Sequence, residues 1–399
     1  MTPPRAQASV NVAAIERNCA RLRSELREGA ELCAVVKADG YGHGSVRSAH
    51  AALAGGATWL AVATAGEACE LRDAGVGTTP ILVMGALSAG ELRDALGAEA
   101  DVVVWNEHYV RAVAEQGGGR VHVKLDSGMG RLGTRDADEA TRVLALAREL
   151  RGVEPVGLMS HFATADDVDD DGFFAHQLDT FARWAKERKG EQPRLLVHTA
   201  NSAALLRDSG AHLDMARCGI AVYGMDPFGE DAAARRLEPA LELSSYVAEV
   251  KPCRAGQSAG YGRRFVAEHD TQLGVLPIGY GDGWRRALSN NADVLIGGER
   301  RPLVGTVSMD NVTIDLGPNA DGTQLRGRPA TLIGVDGEQR ITAEELARRL
   351  QTINYEITCA LTPRVVRVYH RDGLAVEPIV AGPDLAAQGE PAWLPARDG

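Results

Sequence analysis

The sequence predicts an α/β fold: a (β/α)8 TIM-type barrel over residues 1–240, followed by a mainly β C-terminal domain over 241–380. Three observations predict it. Short apolar runs alternate eight times with segments of helical character in the first part, the rhythm of a parallel sheet. The runs are continuously apolar, as strands covered on both faces are. After about residue 240 the texture changes to short strand-like runs broken by turns such as GYGDG, SNNAD, IGGER and VDGEQ.

The elements follow in order. A helix at 11–26 precedes the first strand and is placed to cover the side left open after the eighth. Strands are expected at 31–36 (ELCAVV), 58–64 (TWLAVAT), 79–85 (TPILVMG) and 100–105 (ADVVVW). Four more follow at 121–126 (VHVKLD), 154–161 (EPVGLMSH), 194–200 (RLLVHTA) and 214–223 (DMARCGIAVY). Helices are expected between them at 43–54, 65–75, 88–97, 106–116, 136–150, 173–189 and 202–210. Ser88, Asn106, Asp136 and Ser202 read as N-caps, since a short side-chain oxygen there accepts from a free backbone N–H. An open doubly wound sheet is the alternative that the same alternation allows. The stretch 225–240 reads as a linker. The second domain is expected to hold strands at 242–250, 271–278, 292–296, 302–307, 311–316, 330–335 and 364–369, with a helix at 342–350. Residues 381–399, rich in Pro, Gly and Ala, read as a loose tail.

Composition narrows the function classes. A chain of 399 residues has room for about two domains. The net charge of −11 and the lack of a long basic run argue against a nucleic-acid partner. No stretch approaches the roughly 20 apolar residues of a membrane helix, so no membrane partner is expected. The six cysteines are scattered without a C-x-x-C pair, and the start MTPPRAQASVNV lacks a signal-peptide core. Reduced thiols and a cytoplasmic location are the simplest expectation. The histidines show no metal-ligand spacing, so no metal is expected. The acidic run DDVDDDG at 166–172 resembles the start of a calcium loop, but Leu178 stands where a bidentate Glu is needed.

On a barrel, chemistry gathers at the C-terminal ends of the strands. Lys37 ends the first strand, Lys124 and Asp126 the fifth with Arg131 beyond, and His161 the sixth. His198, Asn201 and Ser202 close the seventh, and Arg217 and Gly219 lie on the eighth. Loops after the last two strands are the usual phosphate site of such barrels, and Ser202 is expected at a helix N-cap there. A cofactor with one phosphate monoester is therefore expected.

The string AVVKADGYGHG at 34–44 resembles the cofactor-binding signature of bacterial alanine racemases. KLDSGMGRLG (124–133), MSHFATAD (159–166), HTANSAA (198–204), RCGIAVYG (217–224), GYGRRF (260–265), IGYGDGW (278–284), VSMDN (307–311) and INYEITC (353–359) resemble the same family, in the same order. The resemblance implies pyridoxal 5'-phosphate, interconversion of L- and D-alanine for peptidoglycan, and a homodimer in which each site borrows residues from its partner's second domain. It implies that Lys37 holds the cofactor as a Schiff base and serves as one base, with Tyr261 from the partner as the other. Tyr41, His161, Asn201, Ser202, Gly219, Ile220 and Tyr355 are implied for the cofactor, mostly its phosphate. Arg217 is implied at the pyridine nitrogen, with His198 behind it. His161 and Arg217 are expected as the cations beside Tyr261 that ease its deprotonation. Arg131 is implied for the phenolic oxygen or substrate carboxylate, Met309 and Asp310 for the pocket in trans, and Tyr280 for the mouth of the site. Lys124 matches a lysine that is carbamylated in many relatives. One departure stands out: Asp39-Gly40 replaces the Asn-Ala of many relatives, adding charge and flexibility to the turn. A serine or broad-specificity racemase, and a non-catalytic protein that binds pyridoxal phosphate, remain open alternatives. A decarboxylase of basic amino acids on the same fold fits VSMDN and INYEITC less well.

Overall fold

The barrel strands are Glu31–Val35, Trp59–Val62, Ile81–Val83, Asp101–Val104, Gly119–Lys124, Val153–Met159, Leu196–His198 and Met215–Cys218. Each pairs in parallel with the next, and the last pairs back onto the first to close the barrel. The computed structural model describes residues 4–376, so the expected tail at 381–399 lies outside the described residues. Closure disposes of the open-sheet alternative. The strands are short and almost wholly buried, for example Trp59–Val62 and Val102–Val104, because helices cover their outer faces.

Helix starts follow local chemistry. Ser88, Asn106 and Asp136 each accept a hydrogen bond from the first turn of the helix they precede. Thr64 and Glu67 form a reciprocal capping box. Ser202 does not cap its helix. Asn201 does, accepting from Ala204 N at 2.9 Å, and Ser202 is the first residue of the helix Ser202–Arg207. With two cap-competent residues adjacent, the extended backbone at Asn201 decides which side chain reaches back over the turn.

The first helix, Val12–Glu25, does lie against the chain leaving the eighth strand. Its buried Asn18 donates to Val222 O (3.2 Å) and Glu238 O (2.9 Å) and accepts from Glu238 N (2.9 Å). The strand before it, Gln7–Asn11, was not anticipated. It pairs with Leu241–Tyr246 and Val366–Arg371, inside the second domain's largest sheet. The expected strand 242–250 is two strands, Leu241–Tyr246 and Glu249–Cys253, in different sheets. The expected strand 302–307 falls at Glu299–Pro302 instead, hydrogen-bonded to Asp293–Ile296 across the IGGER turn. A short helix, Asn354–Cys359, follows the expected one at Ala343–Leu350. The linker is packed rather than loose: Asp226 is buried, paired with Arg235 at 2.7 Å.

Asn18 joins three elements, so its loss strands buried backbone groups. Asn18→Ala is expected to lower unfolding stability by about 1–3 kcal/mol. The measurement is a urea titration, with a lower midpoint and an unchanged slope.

Candidate active site

The C-terminal mouth of the barrel opens into a cavity of about 520 Å³. Lys37, Tyr41, Lys124, Arg131, His161, Asn201, Ser202, Arg217, Gly219, Ile220 and Tyr355 all line it. These are the residues expected there from the strand ends and motifs. Four of them are cationic types, and no Asp or Glu is among the described residues of the lining. Asp126, at the end of the fifth strand, instead accepts from Gly128 N and Gly130 N (both 3.1 Å) and pairs with Arg135.

Lys37 lies two residues beyond its strand, at the start of a left-handed turn. Ala38, Asp39, Gly40 and Tyr41 all have φ between 52° and 58°. Glu67 holds the turn from outside, accepting from Ala38 N at 2.7 Å while also accepting from Ala63 N (2.8 Å) and Thr64 N (3.1 Å). Sequence reasoning missed Glu67; the T-x-x-E capping box was the legible half of its role. Burial first, and then Arg131, lower the Lys37 ammonium below the ordinary lysine range. Burial, Arg217 and Arg131 lower Lys124 to about 8.

Arg217 is buried at the base of the cavity. It donates to His198 Nδ1 (2.6 Å), His161 Nδ1 (3.1 Å), Ser160 O (2.9 Å) and Thr199 O (3.2 Å), while Nε is buried without a partner. Burial pushes its guanidinium down to about 10. His161 is not the cation expected of it. Burial, with Arg217 next, holds its imidazole well below the usual histidine range, so Arg217 carries the charge.

On the far wall, Ser202 Oγ accepts from Gly219 N at 3.0 Å and Ala221 N at 3.4 Å, tying the last two barrel loops together. Gly219 faces Tyr41 so closely that a Cβ would come within 2.2 Å of the phenol oxygen. Burial raises the phenols of Tyr41 and Tyr355 above the ordinary range, keeping both as neutral donors. Cys359, which sequence reasoning passed over, also lines the cavity.

The remaining expected residues lie elsewhere. Tyr261 is 72% exposed, and Tyr280 and Met309 are also exposed. Asp310 pairs with Arg364 at 2.6 Å. None of the four lines the Lys37 cavity. They form one rim of the second domain: Thr306 Oγ1 donates to Tyr261 O (2.7 Å), Tyr280 N to Ser308 O (3.0 Å) and Gly281 N to Met309 O (2.9 Å).

A low-pKa lysine facing a buried guanidinium, at the open end of a closed parallel barrel, defines an enzyme built to hold a small anion and work through an amine. Comparison with known proteins narrows the class. Residues 10–227 match the alanine racemase N-terminal domain and residues 240–369 the alanine racemase C-terminal domain. The chain therefore belongs to the alanine racemase family, and is an amino-acid racemase. It is 41% identical over 374 residues to an alanine racemase of Thermobifida fusca (strain YX), covering 91% of this chain and 98% of that protein. It is 38% identical over 380 residues to alanine racemase 1 of Bacillus subtilis (strain 168), covering 93% and 94%. Among solved structures, the alanine racemase of D-cycloserine-producing Streptomyces lavendulae superposes with a TM-score of 0.86 at 36% identity, covering 93% and 98%. That of Bacillus anthracis, with bound L-Ala-P, gives 0.85 at 36% identity, covering 94% and 97%.

Glu67→Gln puts an amide N–H₂ against one of three backbone N–H groups. The expected cost is about 1–3 kcal/mol. Because the strain falls on the turn that carries Lys37, weaker retention of pyridoxal phosphate is expected on dialysis, read by visible absorbance.

Proposed function

We propose that this chain interconverts L- and D-alanine with pyridoxal 5'-phosphate, by a two-base mechanism shared between two copies of the chain. The observation that carries the reading is the charge of the cavity: four cationic side chains and no carboxylate in its described lining. A phosphate and a substrate carboxylate supply the missing negative charge. The residues fit the cofactor on further grounds. Arg217 Nε is a buried donor without a partner, suited to a ring nitrogen. Having no Cβ, Gly219 lets the Tyr41 phenol come close against the loop at the phosphate end.

Tyr41, Asn201, Ser202, Gly219, Ile220 and Tyr355 would hold the phosphate end, and Lys37 the aldehyde carbon. Bound there, the cofactor supplies an electron sink conjugated to the substrate's Cα. The neutral form of Lys37 is the one that accepts a proton from Cα, and its burial favours that form. Inversion requires a second group on the opposite face. Tyr261 is exposed on the second domain, where it is available to another copy's cavity mouth. His161 lines the cavity with its Nδ1 taken by Arg217, so its Nε2–H can steady a phenolate. Arg131 would bind the substrate carboxylate as a planar fork. Met309 and Asp310 would close the pocket in trans, with Tyr280 at its mouth. A homodimer follows from this division. No helix among the described residues is long and apolar enough to cross a membrane.

Lys124 would carry a carbamate opposite Arg131. Only the neutral amine reacts with carbon dioxide, and neutral amine increases as pH rises through about 8. Native mass spectrometry in bicarbonate should therefore show one added carbon dioxide, with occupancy increasing with pH and lost in Lys124→Ala.

The central test follows L-alanine to D-alanine, with L-serine compared. Lys37→Ala is expected to abolish both the visible band of the lysine-bound cofactor and turnover. Tyr261→Phe is expected to keep the band and slow Cα–H exchange from one enantiomer far more than from the other. Equal slowing from both would overturn the two-base assignment.

A further inference from the structure

Inside the barrel, beneath the cavity, lies a row of polar side chains that the proposed mechanism leaves unused. His198 Nε2 meets His122 Nδ1 at 2.8 Å, and His122 Nε2 meets Asp101 Oδ2 at 3.0 Å. Asp101, His122 and His198 are all essentially inaccessible to solvent. Asp101 comes from the start of the fourth barrel strand, His122 from the middle of the fifth and His198 from the end of the seventh. The row therefore crosses the barrel interior and ends on Arg217.

We infer that Asp101 and His122 are positioning residues for the racemase reaction, ordering every proton between Asp101 and Arg217 in one direction. The order follows from donor chemistry. A guanidinium has only donors, so His198 Nδ1 must accept from Arg217. The His198 proton is then on Nε2 and is donated to His122 Nδ1. The His122 proton is on Nε2 in turn and is donated to the Asp101 carboxylate. Reversing either ring sets N–H against N–H somewhere along the row. Both imidazoles are neutral, and the buried charge of Arg217 is balanced by Asp101 across them rather than by a carboxylate in contact. Such a chain is stiffer than its separate bonds, because each bond polarises the next. It holds the guanidinium plane fixed beneath the cavity. This rests on the proposed place of Arg217 at the cofactor's ring nitrogen.

Arg120 provides the means to test direction apart from packing. Its Nε forms an ion pair with Asp101 Oδ1 at 3.1 Å, so the carboxylate presents one oxygen to Arg120 and the other to His122. Asp101→Asn cannot do so: either the amide N–H₂ faces Arg120, or it faces His122 and drives the tautomers backwards. A wrong tautomer, with geometry intact, is what disables a histidine relay. In Asp101→Asn with Arg120→Leu the amide oxygen is free to accept from His122, and the order is restored.

The experiment reads ring ¹⁵N shifts in ¹⁵N-histidine-labelled protein, with and without pyridoxal phosphate, alongside kcat, KM and the visible band. Wild type is expected to show His122 and His198 both protonated on Nε2, with or without cofactor. Asp101→Asn is expected to shift both rings towards Nδ1–H and lower kcat about tenfold to a hundredfold, with KM for alanine unchanged. The double variant is expected to recover the wild-type tautomers and most of kcat. Wild-type rings protonated on Nδ1, or an Asp101→Asn protein with unchanged kcat, would overturn the inference. So would a double variant no better than the single one. If Asp101→Asn does not fold, the wild-type tautomers decide. A wild-type protein that keeps the tautomer order but neither binds cofactor nor racemises alanine would refute the functional reading and leave the relay standing.

Discussion

Arg217 is a cation enclosed by protein, and no carboxylate touches it. A buried charge without partners is among the most costly features a fold can carry. Here it is met entirely by neutral acceptors: two imidazole nitrogens and two backbone carbonyls. Those acceptors must be supplied in fixed directions by two different strand ends. The sixth provides Ser160 and His161, the seventh His198 and Thr199, and the eighth Arg217 itself. A closed barrel can do this because its strands converge on one axis. Layers that apolar residues usually fill are given over to His122, His198 and Asp101.

The same cation shapes the mouth above it. Arg217 and Arg131 lower the amines of Lys37 and Lys124, and burial does so more strongly. Arg217 and burial keep His161 neutral. A cavity with this much positive potential binds anions, and it holds reactive amines closer to their neutral, nucleophilic form. The carboxylates that could relieve it are used in loops: Asp126 gathers Gly128 and Gly130, and Glu67 gathers Ala38, Ala63 and Thr64. Keeping them there leaves the compensation to whatever binds.

The barrel was legible because strands covered on both faces read as continuous apolar runs; six of the eight fell within their expected stretches, while Gly119–Lys124 and Val153–Met159 begin two residues and one residue earlier than expected. Gln7–Asn11 was not, since its partners lie at 241–246 and 366–371 and the alternation in QASVN is short. The 302–307 stretch misled because Leu303, Val304 and Val307 are apolar and buried without being in a strand. The cavity lining was legible from polar residues at strand ends. His161 as a cation was not, because a charge depends on burial and neighbours that a linear string does not show. His122 did leave a trace: in VHVKLD it stands two residues before Lys124, hence on the same inward face, where a buried polar side chain needs a partner. The rim of Tyr261, Tyr280, Met309 and Asp310 was reachable only by resemblance, for those residues have no partner within their own cavity.

The turn that bears Lys37 shows how such a site is held. Left-handed backbone costs an ordinary residue about 1–2 kcal/mol, and Ala38, Asp39 and Tyr41 all adopt it. The conformation persists because its surroundings over-determine it. Glu67 takes Ala38 N, Asp39 Oδ1 takes Ser45 N at 3.1 Å, and Tyr41 packs on Tyr223 with ring centroids 5.1 Å apart. The departure at Asp39-Gly40 therefore has a structural sense. Gly40 meets no left-handed penalty, and a Cβ there would come within 2.9 Å of Ser48 Oγ. The added charge of Asp39 is spent on fastening the turn, with Arg367 3.6 Å away, and not on the cavity. What the strain achieves is direction. Within five residues the chain aims both Lys37 and Tyr41 into the same cavity, which a right-handed turn or a continuing strand would not do at that spacing.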